Sequence, residues 1–201
     1  MAEGLRERRR RQTQAEVANA AVDLVVERGL ANVTVDDIAA RAGISRSTFF
    51  NHFRSKDDAL VFGPPPIRDE ALEEFIVGND APVRDGVLAV LVDYGQRVEA
   101  RRPDLERMNL VIQENPHLLA RVYRDFVDFH AAVSSAVLQR LPGEQVFADA
   151  AGAAATAAMY AATQRWLGAA GAVSLDVALS ESFAAIQLLF EQHTSPRKGP
   201  R

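Results

Sequence analysis

The chain has no cysteine among its 201 residues. Disulfides, thiolate metal sites and cysteine nucleophiles are therefore excluded, and a reducing, cytoplasmic setting is expected. Histidine is scarce: His52, His117, His130 and His193 are the four, and their spacing matches no metal-ligand pattern. Long apolar runs are missing as well. The longest uncharged stretch, Ala150–Gln164, is alanine-rich and too short to span a bilayer. No apolar segment of the secretory kind follows the arginine-rich N-terminus, so a soluble protein without a membrane partner is expected. Persuasive strand patterns are absent, and with them any glycine-rich phosphate loop after a strand. Asp125 and Asp128 near His130 imitate a carboxylate–histidine pair, but on a helix surface they read as solvated charges. No catalytic residue, metal or cofactor is expected.

What is present is helix. Apolar residues at Val17, Ala20/Ala21, Leu24 and Val25 keep the helical period and stop at Arg28-Gly29, predicting a helix over 10–28. Two short helical patterns follow, around 35–42 and 46–53. A fourth helix should start near Ser55, with Asp57 and Asp58 in its first turn, and carry Leu60, Val61 and Phe62. Gly63-Pro64-Pro65-Pro66 then breaks the pattern, because consecutive prolines cannot continue a helix. Further helices are expected near 67–77, 83–101, 104–114, 117–141, 144–170 and 175–193, with Pro103, Pro116 and Pro142-Gly143 as punctuation. The tail 195–201 should be frayed. The expected fold is all-α, with an N-terminal domain over 1–62 and a larger helical domain over 67–194.

The most informative stretch is Thr34–Leu60, TVDDIAARAGISRSTFFNHFRSKDDAL. Thr34 can cap the first short helix, whose opening turn carries Asp36 and Asp37. Ile38 and Ala39 face inward, Ala42 permits close approach, and Gly43 can supply a positive-φ stop. Ser45 then caps the second helix. Cap, small residue, glycine, apolar residue and second cap in that order lay out a helix-turn-helix, which angles its second helix into a DNA major groove.

These residues resemble the DNA-binding domain of TetR-type transcriptional repressors. The match runs through Thr34, Ile38, Ala39, Ala42, Gly43, Ile44, Ser45, Thr48, Phe50, His52, Phe53, Ser55, Lys56 and Leu60 and covers about the first third of the chain. The resemblance implies a homodimeric repressor on a palindromic operator, released by a small effector. Relatives commonly join the two domains with a longer fourth helix; the Gly63–Pro66 break departs from that.

Net charge is −4, yet the first 60 residues hold ten Lys/Arg against nine Asp/Glu, leaving 13 and 18 for the rest. Phosphate needs local positive potential, and Arg6, Arg8, Arg9, Arg10 and Arg11 supply it. The cluster reads as an arm to the DNA, with Arg10 as its candidate, or as a solubilising tail. On the second helix Arg46, Ser47, Thr48 and Asn51 are the candidates for the groove, flanked by the caps Thr34 and Ser45. Arg46 can reach guanine and Asn51 adenine. The resemblance places Thr48, Phe50, His52 and Lys56 at phosphate-contacting positions. Phe50 stands where tyrosine is common, so a hydroxyl-to-phosphate bond is lost there.

The second domain offers Tyr94, Met108, Ile112, Tyr123, Phe126, His130 and Trp166. Singly these read as core; together they could line a cavity for an apolar or amphipathic ligand. The run 115–122 and the Thr48-Phe49-Phe50 spelling resemble actinobacterial members of the family associated with acyl-CoA sensing. Small residues at Ala150, Ala154, Ala157, Ala158, Ala161 and Ala162, and an apolar stripe of Leu175, Leu179, Phe183, Ile186 and Phe190, could close the monomer's own core. They could equally build a dimer interface over 144–193, and the twofold symmetry of paired half-sites favours the dimer. A lipid-binding protein of the same fold that has lost DNA binding is the alternative reading.

Overall fold

A computed structural model of the chain describes residues 5–63, 66–78, 81–169 and 171–191. Ten α-helices occur among the described residues, with two single turns of 3-10 helix at Leu30–Asn32 and Pro116–Leu118 and no strand. They are α1 (Leu5–Arg28), α2 (Val35–Arg41), α3 (Arg46–His52), α4 (Lys56–Leu60), α5 (Asp69–Val77), α6 (Val83–Glu99), α7 (Arg102–Glu114), α8 (Leu119–Arg140), α9 (Gln145–Gly168) and α10 (Leu175–Glu191). The chain is all-α, with an N-terminal helix-turn-helix followed by a larger helical region. Pro64, Pro65, Ala170, His193 and the tail 195–201 lie outside the described residues, as does the side chain of Phe190.

Helix α1 starts at Leu5, five residues ahead of the expected position. Residues 5–12 are leucine, arginine, glutamate and glutamine, all strong helix formers, so nothing stops the helix before them. The basic cluster is therefore part of a helix, and Arg10 is exposed on its surface. Helix α4 is shorter than expected, since Val61 already leaves helical geometry. Pro116 opens a 3-10 turn, so α8 begins at Leu119 and not at 117.

The chain divides into two compact units, one of residues 1–64 with 101–125 and one of 65–100 with 126–201. In the first, α1 turns Val17, Ala21, Leu24 and Val25 inward, one stripe at helical spacing. Ile38 and Ala39 of α2, Phe49 of α3 and Leu60 of α4 meet that stripe, and so do Val111 and Ile112 of α7 and Leu118. Helix α7 and the start of α8 thus help to fill the core that α1 to α4 begin. Ion pairs fasten them: Arg107 with Asp23, and Arg121 with Asp58 at 2.9 Å; His117 Nε2 lies 3.7 Å from the Asp57 carboxylate.

In the second unit α6, α9 and α10 pack together with α5 and the rest of α8. Helix α8 buries Phe129, Val133, Ala136 and Val137. Gly152 of α9 meets α8 closely: a Cβ there would stand 2.9 Å from the His130 carbonyl oxygen, so only hydrogen fits. Beside this crossing, the Asp149 carboxylate accepts from the Ser134 hydroxyl at 2.8 Å and from the Gln145 side-chain amide at 3.0 Å. Those two donors hold the Asp149 carboxyl below the usual carboxylate range. The apolar stripe of α10 faces inward, with Leu175, Leu179 and Phe183 buried and Ile186 half-buried, so it closes the monomer's own core. The alanines of α9 divide. Ala158 and Ala162 are buried, Ala154 is half-buried, and Ala150, Ala157 and Ala161 are exposed. Among the described residues no helix is long and apolar enough to cross a membrane.

Candidate DNA-binding site

Thr34 opens the site. Its hydroxyl oxygen accepts from the Asp37 amide at 3.2 Å while its own amide donates to the Asp37 carboxylate at 2.9 Å. Two orphan donors at the start of α2 are thus satisfied reciprocally, a capping box. The Thr34 hydroxyl and amide, helped by nearby Arg28, keep the Asp37 carboxyl below its usual range.

The turn closes the other end of α2. Gly43 adopts φ +66°, the Gly43 amide donates to Ala40 at 3.2 Å, and the Ile44 amide reaches back to Ala39 at 2.9 Å. That pair of bonds is a Schellman stop, whose left-handed residue is best supplied by glycine. Ser45 then caps α3, accepting from the Thr48 amide at 3.0 Å. The Ser45 hydroxyl also lies 2.8 Å from the hydroxyls of both Ser47 and Thr48.

Helix α3 has two faces. Phe49 is fully buried and Phe53, at its C-cap, is nearly so, holding the helix against α1 and α2. Arg46, Ser47, Phe50 and Asn51 are exposed, while Thr48 and His52 are half-buried. His52 Nδ1 is shielded from solvent and makes no hydrogen bond. Arg46 pairs with Asp36 of α2 at 2.7 Å, and its guanidinium lies 5.4 Å from the centroid of the Phe50 ring. Lys56 donates to the carbonyls of Leu30 at 2.8 Å and Val33 at 2.9 Å. Its ammonium thus carries a local structural duty that sequence reading missed. The partners lie 26 and 23 residues away, and no spacing rule links them. Local sequence marks Asp36 only as a helix-dipole charge, because its pairing with Arg46 depends on the angle between α2 and α3.

The seven candidates for a ligand are divided between the two units. Met108 and Ile112 pack into the core of the first unit, and Tyr123, in the part of α8 belonging to that unit, is 69% exposed. Tyr94, Phe126, His130 and Trp166 belong to the second unit. There Tyr94 and Phe129 have ring centroids 5.1 Å apart, and Phe126 meets exposed Tyr160 edge to face at 5.9 Å. Trp166 is fully buried, and His130 Nε2 lies 3.2 Å from the Asp149 carbonyl oxygen. Helical spacing alone does not separate residues of α7 that fill the first core from those of α6 and α9 that fill the second.

Residues 18–61 match the family model for bacterial regulatory proteins of the tetR family. Residues 81–190 match the model of the MftR C-terminal domain. The protein named as a mycofactocin biosynthesis transcriptional regulator, MftR, of Mycobacterium tuberculosis (strain ATCC 25618 / H37Rv) is 27% identical over 139 residues. That alignment covers 68% of this chain and 70% of that protein. Among solved structures, Thermus thermophilus FadR, a TetR family transcriptional repressor in complex with lauroyl-CoA, superposes with a TM-score of 0.53 at 19% identity. It covers 94% of this chain and 98% of that one. A SmeT–triclosan complex gives 0.52 at 18% identity, covering 87% and 91%. At such identities the structural likeness is one of fold.

Proposed function

Because the chain belongs to the tetR family of bacterial regulatory proteins, and is a transcriptional regulator rather than an enzyme, we propose that it works as a homodimeric, ligand-responsive repressor. The observation that carries this reading is the division of α3. Phe49 is fully buried while Arg46, Ser47 and Asn51 stand exposed on a helix fixed at both ends by its caps. Such a face meets base edges, with Arg46 suited to guanine and Asn51 to adenine. Arg10, Thr34, Ser45, Thr48, Phe50, His52 and Lys56 make up the surrounding contact set in this proposal, chiefly toward phosphate. The protein would act in the cytoplasm, on DNA.

The dimer we propose uses α9 and α10. Val146, Ala150, Ala153, Ala157, Tyr160 and Ala161 recur at helical spacing along the exposed side of α9. Val177, Ala184 and Leu188 do the same on α10, and the Arg165–Glu181 ion pair ties the two helices together. Small side chains on one helix let a second copy approach closely, and a twofold dimer suits a palindromic operator. The effector proposed is apolar or amphipathic, an acyl-CoA or another lipophilic compound. That class suits the aromatic groups Tyr94, Phe129, Phe126 and Trp166, and structures of the same fold hold lauroyl-CoA and triclosan. Release would follow by population shift, the effector favouring a state whose recognition helices are wrongly spaced.

Selection of bound fragments from random duplex DNA, followed by a salt titration on the winner, tests the reading. A palindromic motif whose affinity falls steeply with salt is expected. No enriched motif, with a flat salt response, would overturn it.

A further inference from the structure

Helices α2 and α3 are joined on their solvent side by charge. Arg46 Nη1 lies 2.8 and 2.7 Å from the two carboxylate oxygens of Asp36, so both bonds fall on one nitrogen. The guanidinium also stands over the Phe50 ring. Phe50 in turn meets Phe49 edge to face, centroids 5.5 Å apart, and Phe49 is fully buried. A line of contacts therefore runs from the hydrophobic core, through two rings, to the guanidinium.

The pair contributes little to stability, because the Arg46 and Asp36 side chains are 60% and 65% exposed. Its physical effect lies elsewhere. A free arginine on a DNA-facing surface is a permanent cation on a flexible stem, and phosphate oxygens are its nearest partners. Asp36 offsets that charge and fixes the stem. Nε and Nη2 are left pointing away from the carboxylate, a planar pair of donors matched to the O6 and N7 acceptors of guanine.

The geometry points to Asp36 as a specificity-determining positioning residue. It holds Arg46 over Phe50 and turns it from a phosphate contact into a reader of guanine. The inference rests on the proposal that α3 is the recognition helix. It assigns a role in sequence discrimination to a residue of α2 that need not touch a base itself.

The full-length chain is tested as Asp36→Ala, Arg46→Ala and the double variant. Affinities for the selected operator and for a scrambled duplex are measured across a salt series. Asp36→Ala should bind the scrambled duplex several-fold more tightly. Its preference for the operator should fall by about tenfold, within the range for one lost base contact. The slope of log affinity against log salt should steepen by about 0.9, one additional phosphate contact. In the Arg46→Ala background the same substitution should change none of these. Equal effects of Asp36→Ala with and without Arg46 would overturn the inference, making Asp36 a local charge that acts alone. An unchanged operator preference would overturn it too. Asp36→Asn, which keeps the side-chain volume at the start of α2, repeats the test if alanine disturbs that helix. Failure of the unaltered protein to select any duplex would remove the recognition-helix reading itself, an outcome distinct from the others.

Discussion

Lys56 reaches back 26 residues to donate its ammonium to the Leu30 carbonyl at 2.8 Å. A second bond to Val33 at 2.9 Å makes it a strut between α4 and the segment joining α1 to α2. Of its three donors, one is left for a phosphate. Lys56→Met should therefore do two things. Stability should fall by about 1–3 kcal/mol, since the Val33 carbonyl loses the Lys56 donor and the Leu30 carbonyl keeps only the Val33 amide at 3.4 Å. Operator and scrambled DNA should lose affinity by similar factors, because phosphate carries no sequence information. Urea unfolding and paired binding titrations check the two separately; an unchanged unfolding midpoint would remove the strut.

The capping box gives a second prediction. Thr34→Ala should cost about 1 kcal/mol, the usual value of a lost N-cap. It should also flatten the acid side of the stability profile. Thr34 holds the folded-state pKa of Asp37 below its unfolded value, so the stability linked to Asp37 is present in full above the ordinary aspartate range. It is lost as pH falls through the lower, folded value. The gap between unfolding curves of the two proteins recorded at descending pH should narrow in acid to the cost of the lost cap bond alone.

Gly43 separates conformational strain from clash. Its φ is +66°, yet nothing lies within 4 Å of where a Cβ would sit. Gly43→Ala should then cost about 1–2 kcal/mol through backbone strain alone. Gly43→Asn should cost less, since asparagine tolerates the left-handed region, and Gly43→Val more. Thermal midpoints should fall in the order Gly, Asn, Ala, Val. Alanine at or above asparagine would point to steric room, and not φ, as the constraint.

Two glycines of one helix should respond in opposite directions. A Cβ at Gly152 meets the His130 carbonyl, whereas at Gly168 it meets nothing within 4 Å. Gly152→Ala should destabilise by about 1–3 kcal/mol as α8 and α9 are forced apart. Gly168→Ala should be neutral or stabilising by up to about 1 kcal/mol. Calorimetry on the pair is sufficient.

The dimer is tested on the exposed side of α9. Ala157→Glu adds a charge where the monomer buries nothing, so the fold should survive. Sedimentation should show monomer at concentrations where the unaltered protein is dimeric, and affinity for a palindromic operator should fall to that for a half-site. A dimer that persists would move the interface elsewhere.

Local chemistry accounts for what could be read in advance. Thr34, Gly43, Ser45 and Ser55 each act on backbone groups within four residues, and each sits in the structure where its chemistry requires. The prolines at 66, 82, 103 and 116 also fall at or between helix ends. Leu5–Arg9 escapes a reading by periodicity because a charged helix surface carries no apolar period to mark it. The partners of α7 were hidden for a different reason. The Asp23–Arg107 pair joins positions 84 apart, and periodicity says which face of a helix is apolar without saying which core that face enters.

The first compact unit is discontinuous in the chain, with residues 101–125 completing what residues 1–64 begin. During synthesis the helix-turn-helix emerges from the ribosome well before Val111, Ile112 and Leu118 exist to cover it. Its core closes only after Asp125 has been added, so the nascent chain carries open apolar surface through about half its length. A reporter fused after residue 62 would follow an unfinished module, and one fused after 125 a closed one.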